Sequence, residues 1–203
     1  MRLNLAAVVL AAGKSERMGK NKLLLEVAGR PILDRLLDAL DASTVDEVII
    51  VLGHRPEELS PIAVAHDTQI VLNPSYEEGM TSSFKAGIRC VSADAAFLIL
   101  GDQLGLEAEL LDRMAAEIEA DQEALIVSPI HQGRRGHPVL FRRSLFPEIL
   151  SLGEEETVRD VVLRHEAAHV HVEGNVWCTI DIDTPEDFER AKRLFEASRG
   201  ASL

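Results

Sequence analysis

Five short apolar runs, each continuous rather than alternating, are separated by stretches with helical periodicity, and this alternation limits the folds open to the chain. The runs are Ala7-Val8-Val9-Leu10, Val48-Ile49-Ile50-Val51-Leu52, Gln69-Ile70-Val71-Leu72, Ala96-Phe97-Leu98-Ile99-Leu100 and Leu125-Ile126-Val127. A strand that is apolar on consecutive residues is covered on both faces, as in a parallel sheet. Ile32, Leu33, Leu36, Leu37 and Leu40 form one stripe at 3.6-residue spacing, and Leu106, Leu110, Leu111, Met114 and Ile118 form another. The pattern predicts an α/β fold: an open, mostly parallel sheet with helices on both faces. Ligands of such sheets bind beyond the carboxyl ends of the strands, so the residues just after each strand are the first to inspect.

With 203 residues and no linker, repeat or low-complexity block, one domain spanning 1–203 is expected. Acidic residues outnumber basic ones by 34 to 21, the opposite of what a nucleic-acid-binding surface requires. The longest apolar run, Leu5 to Ala12, is far too short to span a membrane and leads into a charged glycine loop rather than a cleavage site. Cys90 and Cys178 make no disulfide framework and suit a reducing, cytoplasmic setting, where small buried hydrophobes are their simplest role. Near the end, Thr184 is placed to cap a helix with Pro185 at its first position and Glu186 and Asp187 at its positive end. Phe188, Ala191, Leu194 and Phe195 are its expected buried face, with fraying expected around Ser198-Arg199-Gly200.

The loop after the first strand reads Ala11-Ala12-Gly13-Lys14-Ser15-Glu16-Arg17-Met18-Gly19-Lys20-Asn21-Lys22. Its small residues leave backbone N–H groups open to an anion. Four cations against Glu16 give this stretch a charge of +3, whereas the chain as a whole carries -13 and the remainder therefore -16. That concentration fits a polyphosphate cradle. Neither a Walker A loop nor a G-x-G-x-x-G turn is present.

The string G-x-S-x-R-M-G-x-x-K after Leu-Ala-Ala, continuing into Leu23-Leu24-Leu25 and Gly29-Arg30-Pro31-Ile32-Leu33, resembles the signature loop of the nucleotidyltransferases that build molybdenum cofactors, with the cytidylyltransferase branch nearest. The resemblance extends through Asn73-Pro74-Ser75-Tyr76 and Glu78-Gly79-Met80-Thr81-Ser82-Ser83, through Gly101-Asp102-Gln103 and Gly136-His137-Pro138, and to Trp177 and Asp181-Ile182-Asp183. It implies a Rossmann-like, nucleotide-diphospho-sugar transferase-like fold. It also implies a Mg2+-dependent reaction in which a pterin phosphate attacks the α-phosphorus of CTP, with a molybdoenzyme or chaperone as the partner that would receive the product.

Carried over position by position, the resemblance assigns Ala11, Ala12 and Gly13 to base and ribose, and Lys14, Ser15 and Arg17 to the β- and γ-phosphates. Lys22 falls to the α-phosphate, making Lys22, Arg17 and Asp102 the candidate catalytic set. Asp102, one turn past an apolar strand, has no packing reason to be there; it is a first metal ligand or an N-cap for the helix near Leu106. Asp183 is a second ligand or a complement to a helix dipole. Ser82 and Ser83, ahead of Phe84-Lys85-Ala86-Gly87-Ile88, suit an anion or the cytosine edge, and equally a helix cap. His137 is an acceptor-side contact or a turn histidine.

Two departures bear on these expectations. Leu104-Gly105 stands where the family usually has proline, which predicts a looser loop beside Asp102. Glu154-Glu155-Glu156 replaces a glycine-rich block and would repel an anionic acceptor unless it points outward. His165-Glu166-Ala167-Ala168-His169 matches the zinc-protease pattern, but the alternating run His169-Val170-His171-Val172 predicts that the helix ends between the two histidines. The alternatives left open are a nucleotidyltransferase of the same scaffold using GTP or a sugar or alcohol phosphate, and a non-catalytic nucleotide- or cofactor-binding protein.

Overall fold

The computed structural model describes residues 2–200, with side chains through 198. The first strand, β1 (Leu5–Ala11), lies near the middle of the main sheet and pairs in parallel with β4 (Glu47–Leu52) on one side and β6 (Ala95–Leu100) on the other. Beyond β4 comes β5 (Gln69–Leu72), also parallel. On the other flank β9 (Val139–Arg142) runs antiparallel between β6 and β7 (Ile126–His131), and β10 (His169–Glu173) closes the edge parallel to β7. The order is β10-β7-β9-β6-β1-β4-β5, with β8 (Arg134–Arg135) hairpinned onto β7. A separate hairpin joins β2 (Glu26–Val27) to β3 (Arg30–Pro31). The sheet is mostly parallel, as the unbroken apolar runs predict.

Those runs work by sending alternate residues into two cores. On β1, Leu5, Ala7, Val9 and Ala11 face one side, together with α1 (Ile32–Asp41), α2 (Pro56–Ala65) and α4 (Ala108–Ala120). Ala6 and Val8 face the other, with α3 (Met80–Ile88), α5 (Phe146–Ser151) and α6 (Val158–Arg164). The α1 stripe is buried in full. A third, smaller cluster of Leu25, Val27, Ile32, Leu104, Trp177, Ile182, Phe188 and Ala191 sits under α7 (Pro185–Gly200). No helix among the described residues is long and apolar enough to cross a membrane.

The structure revises several expectations. β5 is an edge strand, so its apolar run is not covered on both faces and Leu72 is 62% exposed. Leu106 is buried but precedes α4, whose N-cap is Glu107. Leu194 is exposed. At 3.6 residues per turn it lies about 120° around α7 from Phe188, off the line of Phe188 and Ala191. The backbone of the Ser198-Arg199-Gly200 end lies within α7. Cys178 is buried as expected, whereas Cys90 is exposed. Thr184 does cap α7: its hydroxyl accepts from Asp187 N at 3.2 Å while the Asp187 carboxylate accepts from Thr184 N at 3.1 Å.

The antiparallel strand β9 is anchored by a contact with no sequence signature. Arg142 donates to the Ile118 carbonyl at 2.6 Å, to Asp121 at 3.1 Å and to Ala124 at 2.9 Å, satisfying carbonyls at and just beyond the α4 C-terminus. Arg142→Met keeps the stem and removes the donors. It should lower stability by about 2 kcal/mol, because hydrogen bonds to charged groups contribute about 1.5–3 kcal/mol each and water recovers part of the loss. Urea denaturation of the two proteins measures it, and equal midpoints would show that the guanidinium is not holding the helix end.

Candidate functional site

β1 and β6 end side by side. Leu10 pairs with Leu100, and one step further Gly101 N donates to the Leu10 carbonyl at 3.0 Å. The glycine-rich loop after β1 is thereby set against the Asp102 turn after β6, and between them opens a cleft of about 720 Å³. That volume suits a nucleotide-sized ligand. Ala11, Ala12, Gly13, Lys14, Ser15, Arg17, Lys22, Ser83, Asp102 and Asp183 line it. Ten of the twelve residues singled out from the sequence therefore meet in one place.

The loop holds its shape through its own polar groups. Ser15 takes a left-handed conformation at φ 52°, Met18 N donates to the Ser15 carbonyl at 2.9 Å, and Lys22 N donates to the Ser15 hydroxyl at 3.2 Å. The Ser15 side chain thus braces the backbone of Lys22. His54 N donates to the Ala12 carbonyl at 3.1 Å, tying the start of the loop to the end of β4.

Lys22 is the hub. Its ammonium donates to the Asp102 carboxylate, to the Ile182 carbonyl at 3.0 Å and to Asp183 at 3.4 Å. Arg17 pairs with the other oxygen of Asp183 at 2.9 Å. Lys14 reaches across the mouth to Glu77, which holds the lysine pKa above its usual value and the glutamate below its own. Asp102 caps no helix, because α4 begins six residues later. The looser loop expected beside it is not found: Leu104 is buried in the third core cluster and Gly105, at φ +77°, lies against the Trp177 ring.

Asp181 also lines the cleft, although the sequence alone assigns it no role. Ile182 is fully buried between Asp181 and Asp183, so the core residue holds two carboxylates at the rim. The signal was present in the Asp-Ile-Asp alternation. Tyr76, Glu77 and Met80 complete the far wall. Two singled-out residues stand apart from the lining. Ser82 does not precede the helix but lies in the first turn of α3, whose N-cap is Gly79; its hydroxyl donates to carbonyls of Ser75 and Gly79 at 2.8 and 3.0 Å. Ser83, which the Asn73 amide bonds at 3.0 Å, is likewise inside the helix and not its cap. His137 sits behind the cleft, where burial lowers its pKa against the opposing pull of Asp181 and Asp102.

The donor set fits a divalent cation. Asp102 and Asp183 offer hard carboxylate oxygens that already converge on one cation, the Lys22 ammonium, and Asp181 lies beside them. One or two carboxylates, with phosphates and waters, make up the usual magnesium shell.

The sequence pattern of the MobA-like NTP transferase domain matches residues 7–170. The chain belongs to the MobA-like NTP transferase family. It is 31% identical over 190 residues to the molybdenum cofactor cytidylyltransferase of Escherichia coli, covering 93% of this chain and 95% of that one. It is 28% identical over 195 residues to the nicotine blue oxidoreductase of Paenarthrobacter nicotinovorans, covering 93% of each. A nucleotidyl transferase structure from Methanothermobacter thermautotroptrophicus superposes with a TM-score of 0.81 at 23% identity, over 96% of this chain and 99% of that one. The chain is thus a MobA-like nucleotidyltransferase with the nucleotide-diphospho-sugar transferase fold.

The zinc-protease pattern is not assembled. α6 stops at Arg164, a 3-10 turn covers Glu166–Ala168, and His169 begins β10. His165 pairs with Glu148 at 2.6 Å, whereas His169 and His171 both turn to the Ser128 hydroxyl, at 2.8 and 3.2 Å. The Glu154-Glu155-Glu156 segment lies away from the cleft lining, and Glu156 pairs with Arg164. Burial, with help from His171 and Arg135, pushes His169 down to about 4. A histidine whose folded pKa is depressed binds its proton more readily unfolded, so its contribution to stability is lost as pH falls from 6.5 toward 4. Wild type should therefore lose more stability between pH 7 and pH 5 than His169→Gln; His66, whose pKa is raised against burial by hydrogen bonds to Asp41 and Asp34, trends the opposite way in both proteins and cancels in the difference. A His169 imidazole titrating near 6.5 by NMR would refute this.

Proposed function

We propose that the chain, acting as one domain over its 203 residues, transfers CMP from CTP to the phosphate of molybdopterin and releases pyrophosphate. The observation that carries this reading is the meeting of Lys14, Arg17 and Lys22 with Asp102, Asp181 and Asp183 in one cleft at the ends of β1 and β6, in a chain of this family. Similarity to the Escherichia coli cytidylyltransferase favours CTP and the pterin acceptor.

An oxygen of the acceptor phosphate attacks the α-phosphorus, a new P–O bond forms there, and the bond to the bridging oxygen of the β-phosphate breaks. The attacking phosphate is ionised near neutral pH, since its second pKa is about 6, so no strong general base is required. The work left to the protein is positioning and charge stabilisation. Backbone groups of Ala11, Ala12 and Gly13 face the base and ribose, with Ser83 on the opposite wall. Lys14 and Arg17 take the β- and γ-phosphates on leaving Glu77 and Asp183. Lys22 moves from the carboxylates to the α-phosphate, where charge accumulates; its flexible point charge suits that shift. Asp102 and Asp183 would hold Mg2+, which supplies charge neutralisation on the phosphates.

A screen of the four nucleoside triphosphates with Mg2+ and molybdopterin tests the reading: CTP should release pyrophosphate, and release with none of them would overturn it. Lys22→Ala and Asp102→Ala should each slow turnover roughly a hundred- to a thousandfold, the usual effect of losing one such charged contact. Their circular dichroism should match wild type, and near-normal rates in either would remove its assigned role.

A further inference from the structure

Gln103 directly follows Asp102, yet its side chain is turned inward and is only 5% exposed. Its Nε2 donates to the His137 carbonyl at 2.6 Å, while its Oε1 is buried without a hydrogen-bond partner. A flipped amide would set two oxygens against each other, so this bond fixes the orientation. The other face of the same residue is held as well, because His137 N donates to the Cys178 carbonyl at 2.8 Å. Cys178 leads through Thr179 and Ile180 to Asp181 and Asp183. The backbone of His137 is therefore a bridge with one end on the Asp102 segment and the other on the Asp181–Asp183 segment.

The bridge closes because residue 136 is glycine. A Cβ there would lie 2.0 Å from the Cys178 oxygen and 2.6 Å from its carbon, a contact only backbone movement could relieve. A leucine would remove the unpaired Oε1 but would leave the His137 carbonyl without this donor, so the amide is there for what it holds. Gln103 does not line the cleft and touches none of the groups assigned to the triphosphate.

We propose that Gln103 is a positioning residue that acts through the His137 backbone to set the spacing of Asp102 against Asp181 and Asp183, and with it the divalent-metal affinity of the cleft. This rests on the carboxylates being the metal site. Residues behind metal ligands typically contribute about 10- to 100-fold in affinity. The probe is Mn2+, its binding to the intact protein followed by the electron paramagnetic resonance of the free ion in the presence of CTP. Gln103→Met should weaken Mn2+ roughly tenfold. The same substitution made in an Asp181→Asn, Asp183→Asn background should cost almost nothing more, because the segment it positions then supplies no carboxylate. Unchanged Mn2+ affinity, or an equal loss in both backgrounds, would overturn the proposal. Gly136→Ala presses on the bridge from its other end and must show the same pattern, so the test stands if Gln103→Met does not fold. Absence of Mn2+ binding by wild type with CTP present would instead remove the metal reading itself.

Discussion

Two parallel strands from distant parts of the chain end at the same height, and everything at the site follows from that register. With Leu10 opposite Leu100 and Gly101 bonded back to Leu10, the loop that begins at Ala12 and the turn that carries Asp102 have no choice but to face each other. The energy that fixes this register is not at the site. It lies in the alternate burial of β1 residues into two cores, where a slip of one residue would exchange the contents of both faces. A loop with two glycines and only a partly buried Met18 as apolar anchor could not by itself locate its own lysine to within bonding distance of a carboxylate. The sheet does so for it, and the third cluster beneath α7 brings in Asp183 by burying Ile182.

The central architecture was readable because its signals are local. Five apolar runs and two helical stripes announce themselves within thirteen residues each, and four of the five runs occupy the interior of the sheet. What escaped depends on partners far away in sequence. Nothing in Gln69-Ile70-Val71-Leu72 says that no strand lies beyond it, so its exposure is a property of strand order and not of composition. Arg142 reads as an ordinary surface arginine until α4 ends beside it. Leu194 looks like a core residue on a hydropathy count and is exposed because only one line of α7 meets the protein.

The same distinction governs the cleft. The basic loop was legible as a cluster of four cations within nine residues, and Asp102 as a carboxylate stranded after a buried strand. Ser82 was misplaced because a helix that starts at Met80 without any side-chain cap leaves no sequence mark of its first turn. Asp181 lacked a role because the alternation Asp-Ile-Asp acquires meaning only when the middle residue is seen to be buried. His137 illustrates a third case. Its sequence setting marked it as functional, and the structure gives its backbone, rather than its ring, the contacts that connect the two acidic segments.

Reading the loop alone gives a positive site, whereas the folded cleft is not positive. Its lining carries three cations, Lys14, Arg17 and Lys22, against five carboxylates, Glu16, Glu77, Asp102, Asp181 and Asp183. A triphosphate bearing close to four negative charges would meet a net repulsion there, and the cations it needs are already paired with acids. Under the proposed function the carboxylates resolve this conflict rather than cause it. Asp102 and Asp183 would hold a divalent ion bound together with the nucleotide, and Lys22 and Arg17 would then be free for the phosphates. Under that reading nucleotide and metal would each be poor ligands alone and good ligands together, a coupling of two bound charges of opposite sign through shared side chains. An acidic chain can in this way hold a polyanion with only three basic residues, and can keep those residues from gathering other anions in the meantime.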